Sequence, residues 1–193
     1  MAVKEILKIG NDTLRKTSHP VEKFNLRLWL LLRDMADTMY KAEGVGLAGP
    51  QIGILRRVVV IDVQDDHGLI ELVNPEIIAA EGEQGGPEGC LSMPGRQGFV
   101  YRPQKVTVRA QDRHGKVFEL TGEDLLARAL CHEIDHLDGK MYVDIEDHEI
   151  VEEEDEEEEE RPRKKVVKKA KKVADDEDFD EEEEEEKPKK KVV

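Results

Sequence analysis

Apolar positions recur at helical spacing between residues 25 and 42. Leu28, Leu32, Met35 and Met39 stand three and four apart and share one face, which predicts a helix. Asn25 precedes that face as its N-cap. The pattern stops at GVGLAGPQ, residues 44–51, whose glycines predict a loop. The β-branched run at 57–63 is long enough for a buried strand, and a second strand region follows at 69–78, interrupted at Asn74-Pro75. Residues 81–98 are rich in Gly and Pro and predict irregular structure. Strict alternation at 105–110, a turn at 112–115 and a return at 116–120 predict a hairpin. A last helix is predicted over 121–137, with Thr121 and Asp124 as a capping pair, Leu126, Leu130 and Leu137 as its apolar stripe and Gly139 as its stop. Helix, several strands, then helix, without regular βαβ alternation, is the order of an α+β fold with antiparallel sheets.

Charge divides the chain. Of 193 residues, 45 are acidic and 30 basic, a net charge of −15. From residue 147 onward lie 22 of the acidic and 12 of the basic residues, which leaves a net of −5 for residues 1–146. The first part has the composition of one globular domain. The second alternates acidic and basic blocks (152–160, 161–172, 175–186 and 187–191) and has too little apolar content to offset the entropy of ordering. The expected organisation is a globular domain at 1–146 and a disordered charged tail at 147–193. No run approaches the roughly 18 apolar residues of a membrane span. The first residues lack the apolar region of a signal peptide, and two cysteines make no disulfide framework. A cytoplasmic protein with free thiols, monomeric and without a membrane partner, is the expectation.

Chemistry concentrates in three places. His132-Glu133-Ile134-Asp135-His136 is an H-E-x-x-H motif on the predicted last helix. Histidines four apart project from one face and can converge on one cation, and Glu133 beside them has the placement of a general base in metal-assisted hydrolysis. Such a site needs a third protein ligand and one open position. The acidic residues after His136 fall mostly in the charged tail. Cys90, in EGCLS at 88–92, is an upstream candidate: it lies in a Gly/Pro-rich segment rather than a core run, and a thiolate is a strong ligand. Cys131 is one position from His132, about 100° round the helix, and is expected to pack. The glycine-rich run ending at Gln51 suits substrate docking and matches no phosphate-binding spacing. Two other readings share these residues. One is an H-E-x-x-H metallopeptidase, which wants a downstream carboxylate ligand. The other is a non-catalytic interaction protein whose metal site is closed by Cys131.

GVGLAGPQ at 44–51, EGCLS at 88–92 and HEIDHLDG at 132–139, in that order and spacing, resemble the three signature motifs of the peptide deformylases. The resemblance runs over about residues 4–146 and takes in the neighbourhoods of Leu14-Arg15-Lys16 and Thr38-Met39-Tyr40. Gly49 stands where the family usually has a second alanine, and Cys131 where many members have glutamine. The resemblance implies that Cys90, His132 and His136 bind the metal and that Glu133 is the general acid/base. It implies that the Leu91 backbone N–H and the Gln51 amide donate to the formyl oxygen. Val45 and Gly46 are then candidates for backbone pairing with the substrate. Leu125 and Ala129 are candidates for the wall of the methionine pocket, with Arg128 at its rim or facing solvent. Glu88 and Arg102 are expected to pair and steady the Cys90 loop. The implied reaction is removal of the formyl group from the formylmethionine of nascent peptides, releasing formate. The implied metal is Fe2+, with Zn2+, Ni2+ or Co2+ as substitutes. The basic block at 161–172 is a candidate contact with the ribosome.

Overall fold

A computed structural model describes residues 3–150. The first helix, α1, is Leu26–Lys41, capped by Asn25, whose side chain accepts from the amides of Arg27 and Leu28. The strands β1 (Gly46–Ala48), β2 (Val58–Ile61), β3 (Ile70–Glu81), β4 (Gln84–Cys90), β5 (Met93–Arg102), β6 (Lys105–Gln111) and β7 (Val117–Glu123) follow in turn. Helix α2 is Asp124–Leu137, and the short strand β8 is His148–Ile150. One antiparallel sheet has the order β1-β2-β3-β6-β7, and a second has the order β4-β5-β8. This is the expected α+β architecture.

The run Val58-Val59-Val60-Ile61 shows how the larger sheet is packed. Side chains alternate across a strand. Val58 and Val60 join Leu28, Leu32, Met35 and Met39 of α1 in one apolar cluster. Val59 and Ile61 join Leu126, Leu130, Ile134 and Leu137 of α2 in another, with Leu72, Val106 and Val108. Both faces are covered, so all four residues are fully buried, and the run is continuous rather than alternating. Each such side chain contributes about 1.5–3 kcal/mol of transfer free energy. A third cluster lies on the smaller sheet and contains Leu14, Cys90, Met93, Val100, Met141 and Tyr142.

Four local expectations are corrected. The segment expected to be irregular, 81–98, contains β4, the turn and most of β5, paired from Gln84↔Arg102 to Cys90↔Met93. Strand pairing overrides the low propensity of Gly and Pro here. Gly86 leaves open the space that Arg128 fills: a Cβ built on it would lie 3.1 Å from Nη2. The expected loop at 44–51 includes β1, an edge strand paired to β2, and a 3₁₀ turn at Gly49–Ile52. Thr121 does not cap α2. It stays in β7, its hydroxyl bonded to that of Thr107 at 2.9 Å, and the helix begins at Asp124, where the φ angle turns to +49°. Finally, β8 pairs with β5 beyond residue 146, where the sequence pattern had ended the domain. The interruption expected at Asn74-Pro75 is present as a register shift between Val73 and Glu76, with Asn74 at φ +52°. Gly139 follows the last helical turn at φ +73°. The remainder of the expected tail, 151–193, lies outside the described residues.

Candidate active site

Two elements build the site. Helix α2 presents His132 and His136 toward Cys90 and Glu133 toward Gly46 of β1, all three at most 2% exposed. Strand β4 ends on Cys90, 1% exposed. One ligand atom each from Cys90, His132 and His136 lies within 4.8 Å of the others. Cys90 Sγ is 3.3 Å from His136 Nε2. His132 Nδ1 is 3.0 Å from Glu88 Oε2, which leaves Nε2 for the cluster. That Nε2 is buried without a hydrogen-bond partner. A buried polar atom without a partner is costly unless something else binds it. Two imidazoles and a thiol, with His132 Nε2 orphaned among the converging atoms, are a fitting donor set for a soft or borderline divalent cation. Burial raises the Cys90 pKa, but the charges of His136 and His132 and the hydrogen bond to His136 outweigh it and hold the thiol well below its ordinary range. The thiolate is the form that binds metal.

Glu133 completes the centre. Both carboxylate oxygens are buried and unpartnered. Burial pushes its pKa up to about 7, against the opposing pull of His132 and His136. A carboxylate can approach the backbone here because residue 46 is glycine. A Cβ on Gly46 would overlap the Glu133 carboxylate, 2.8 Å from its Cδ. Gln51 approaches the cluster at Cys90. Its Oε1 accepts from the Ala48 amide at 2.8 Å, which turns Nε2 toward Cys90 Sγ at 3.4 Å and Ser92 Oγ at 3.3 Å.

Behind His132 is a buried polar network. Glu88 receives Arg102 Nε at 2.9 Å on Oε1 and Arg102 Nη2 at 3.1 Å on Oε2. Arg102 Nη1 also reaches Asp135 at 2.6 Å. Burial works to raise the Glu88 pKa, yet the hydrogen bonds and charges of His132 and Arg102 bring it down to about 2. The expected Glu88–Arg102 pair is present. Arg128, expected at a rim, is instead 4% exposed and donates to Glu88 Oε1 at 2.9 Å. An arginine amid LLARALC, one turn before His132, was the available signal for this. Polar character suggested solvent, but a paired arginine is readily buried.

The remaining expected residues are placed as follows. Leu91 packs its side chain against Gly44, and its carbonyl accepts from Lys8 Nζ at 2.8 Å. Val45 is buried, and its carbonyl accepts from the Asp62 amide. Ala129 is wholly buried in the core between α2 and the larger sheet, and Leu125 is half-buried against that core. Cys131 is in the same core, its thiol pushed up to about 11, first by burial. It lies apart from the ligand cluster, so the closed Cys₂His₂ site is absent among the described residues. The downstream carboxylate ligand of a metallopeptidase is likewise absent from the cluster, whose third member is Cys90.

Comparison with known proteins agrees with this centre. Residues 3–152 match the sequence model of the family described as Polypeptide deformylase. A peptide deformylase of Caldanaerobacter subterraneus subsp. tengcongensis is 62% identical over 144 residues, 75% of this chain and 89% of that relative. The crystal structure of a peptide deformylase from Legionella pneumophila superposes with a TM-score of 0.72 at 53% identity, over 75% of this chain and 86% of that one. A Met-Ala-Ser-bound class I type b peptide deformylase from Acinetobacter baumannii does so at 0.71 and 31%, over 75% and 98%. The chain therefore belongs to the peptide deformylases, hydrolases that remove the N-terminal formyl group from nascent peptides.

Proposed function

We propose that Cys90, His132 and His136 hold the cation, and that Glu133 is the proton-transfer group in hydrolysis of formylmethionyl peptides to formate and a free amino terminus. The observation that carries this is the pairing of a three-ligand cluster with a buried, unpartnered carboxylate beside it. A divalent cation held there supplies Lewis acidity, activating water and polarising the formyl carbonyl. Glu133 takes a proton from the attacking water as its oxygen bonds the formyl carbon. Gln51 Nε2 and the Leu91 backbone N–H donate to the oxygen on which charge develops. Glu133 then gives its proton to the peptide nitrogen as the C–N bond breaks. Burial without hydrogen-bond partners leaves this carboxylate free both to accept and to donate a proton.

Substrate binding follows from the edge position of β1 in its sheet. The Val45 N–H and the Gly46 backbone groups are the candidates to pair with an extended peptide, the Val45 carbonyl being held by the Asp62 amide. Leu125, half-buried on α2, contributes to the wall that receives the methionine side chain, with Ala129 backing that wall from the core. The Met-Ala-Ser bound to the Acinetobacter relative supports a peptide of that length as ligand. Fe2+ is the resident ion in this reading, with Zn2+, Ni2+ or Co2+ as substitutes. A cytoplasmic monomer fits the reading, and no helix of the described residues is long and apolar enough to cross a membrane. The basic block at 161–172 gives a phosphate contact near emerging chains. Deleting residues 151–193 then lowers co-sedimentation with ribosomes.

The deciding experiment is formate release from formyl-Met-Ala-Ser with and without a chelator. Release that stops with chelator and returns with Fe2+ is expected. Release unchanged by complete metal removal overturns the metal's part. No release, with cleavage of a blocked unformylated peptide, makes the chain a peptidase instead.

A further inference from the structure

Arg128 takes no part in the chemistry above, yet its guanidinium is among the most completely engaged side chains near the centre. It leaves α2 one turn before His132 and crosses to the smaller sheet. Nη1 donates to Glu88 Oε1 at 2.9 Å, Val100 O at 3.1 Å and Gly86 O at 3.3 Å, and Nη2 to Gln84 O at 3.4 Å. These acceptors lie on β4 and β5. Strand β4 carries Cys90, and α2 carries both histidines. The ligand set is therefore split between two elements, and Arg128 joins them.

Its bond to Glu88 adds a second effect. Oε1 receives Arg102 Nε and Arg128 Nη1, and Oε2 receives Arg102 Nη2 and His132 Nδ1. With both oxygens doubly engaged, the carboxylate has no free direction in which to swing. The His132 ring it holds keeps Nε2 aimed at the cluster. Gly86 provides the room, since a Cβ there would stand 3.1 Å from Arg128 Nη2 and 3.5 Å from Cζ.

We propose that Arg128 is a positioning residue of the metal centre, clamping β4 to α2 and fixing Glu88 on His132 so that Cys90 and the two imidazoles meet at one point. The inference rests on reading the cluster as a metal centre. A buried arginine that merely fills space would affect stability alone. The test is the affinity of the metal-free full chain for Co2+, measured in competition with a chromophoric chelator, beside its thermal midpoint and its cobalt–thiolate absorption.

Arg128→Met is expected to weaken Co2+ binding about 10–100-fold and to reduce the thiolate absorption. Arg128→Lys keeps the charge but loses the fork, and falls between the two. Parent-like affinity in Arg128→Met, whatever its thermal midpoint, overturns the proposal. Should that variant fail to fold, Gly86→Val carries the test, since it keeps the arginine and crowds its guanidinium. Weakened Co2+ binding supports the clamp, and unchanged binding overturns it. A parent chain that binds no cobalt removes the metal-centre reading and the clamp with it. A parent that binds cobalt but releases no formate removes the deformylation roles and leaves the clamp standing.

Discussion

Glu88 and Glu133 are both buried glutamates at 1% exposure near His132, and they are opposites. Glu88 accepts from Arg102, Arg128 and His132, and its pKa falls to about 2 despite burial. Glu133 accepts from nothing, and burial carries its pKa to about 7. Burial alone disfavours a carboxylate's charge, and hydrogen bonds to the charged form restore it. The two pockets differ in whether those bonds are supplied and in the charges around them: Arg102 beside Glu88, the Cys90 and Glu88 charges near Glu133. One glutamate is thereby fixed as a permanent anion that orients a ligand. The other is left without such bonds, free to exchange a proton. The centre needs both, and the fold places them 45 residues apart in sequence, on β4 and α2.

The largest effect that sharpens this contrast is on turnover. Glu133→Ala is expected to lower kcat by about 10²–10⁴-fold while keeping its metal. Formate release and elemental analysis of the same preparation check this. Glu88→Ala is expected to act on binding instead, with metal affinity down about 10–100-fold. It also strands Arg102 and Arg128 without their shared anion, and breaking a buried pair in this way costs about 3–5 kcal/mol. Chelator competition and thermal unfolding of the metal-free protein measure the two parts. The contrast breaks if Glu133→Ala sheds the metal while Glu88→Ala retains it.

A smaller change probes the space Glu133 occupies. Gly46→Ala puts a methyl where the carboxylate lies. Displacing a catalytic group by about an ångström can cost up to about 10²-fold. A fall in kcat with metal content unchanged is expected. Full activity in this variant would show that the carboxylate does not need its present position.

Much of the site was legible because its chemistry is compressed into short motifs. Histidines four apart on a helix must share a face, and a cysteine in a Gly/Pro-rich run outside the core stood out as a ligand candidate. Leu28, Leu32, Met35 and Met39 announced α1 because a half-covered helix keeps one stripe apolar. The β4–β5 hairpin was illegible, because its glycines serve neighbours distant in sequence. Gly86 makes way for Arg128, 42 residues on. Arg128 itself was misread as a rim residue, since a burial rule based on residue type cannot see a partner supplied by another strand. Thr121 had the sequence of a cap, but its pairing with Thr107 across β6 and β7 kept it in the sheet. In each case a tertiary contact outweighed a local preference of order 1 kcal/mol.

The smallest effect serves as the reference for the others. Asn25 caps α1, accepting from Arg27 N at 3.1 Å and Leu28 N at 3.4 Å. Helix α1 packs through Val58 and Val60 on one face of the larger sheet, whereas α2 packs through Val59 and Ile61 on the other. Asn25→Ala removes two bonds from that far helix and touches nothing in the metal centre. A loss of about 1 kcal/mol is expected, which for a domain of this size lowers Tm by about 2–4 °C. Chelator competition should give parent-like metal affinity, and formate release a parent-like kcat. That outcome sets the scale for Glu88→Ala. If a pure stability loss leaves affinity untouched, the weakened metal binding of the Glu88 variant reflects lost orientation of His132. If Asn25→Ala also weakens the metal, the sheet couples its two faces, and Glu88 loses its claim to a specific role.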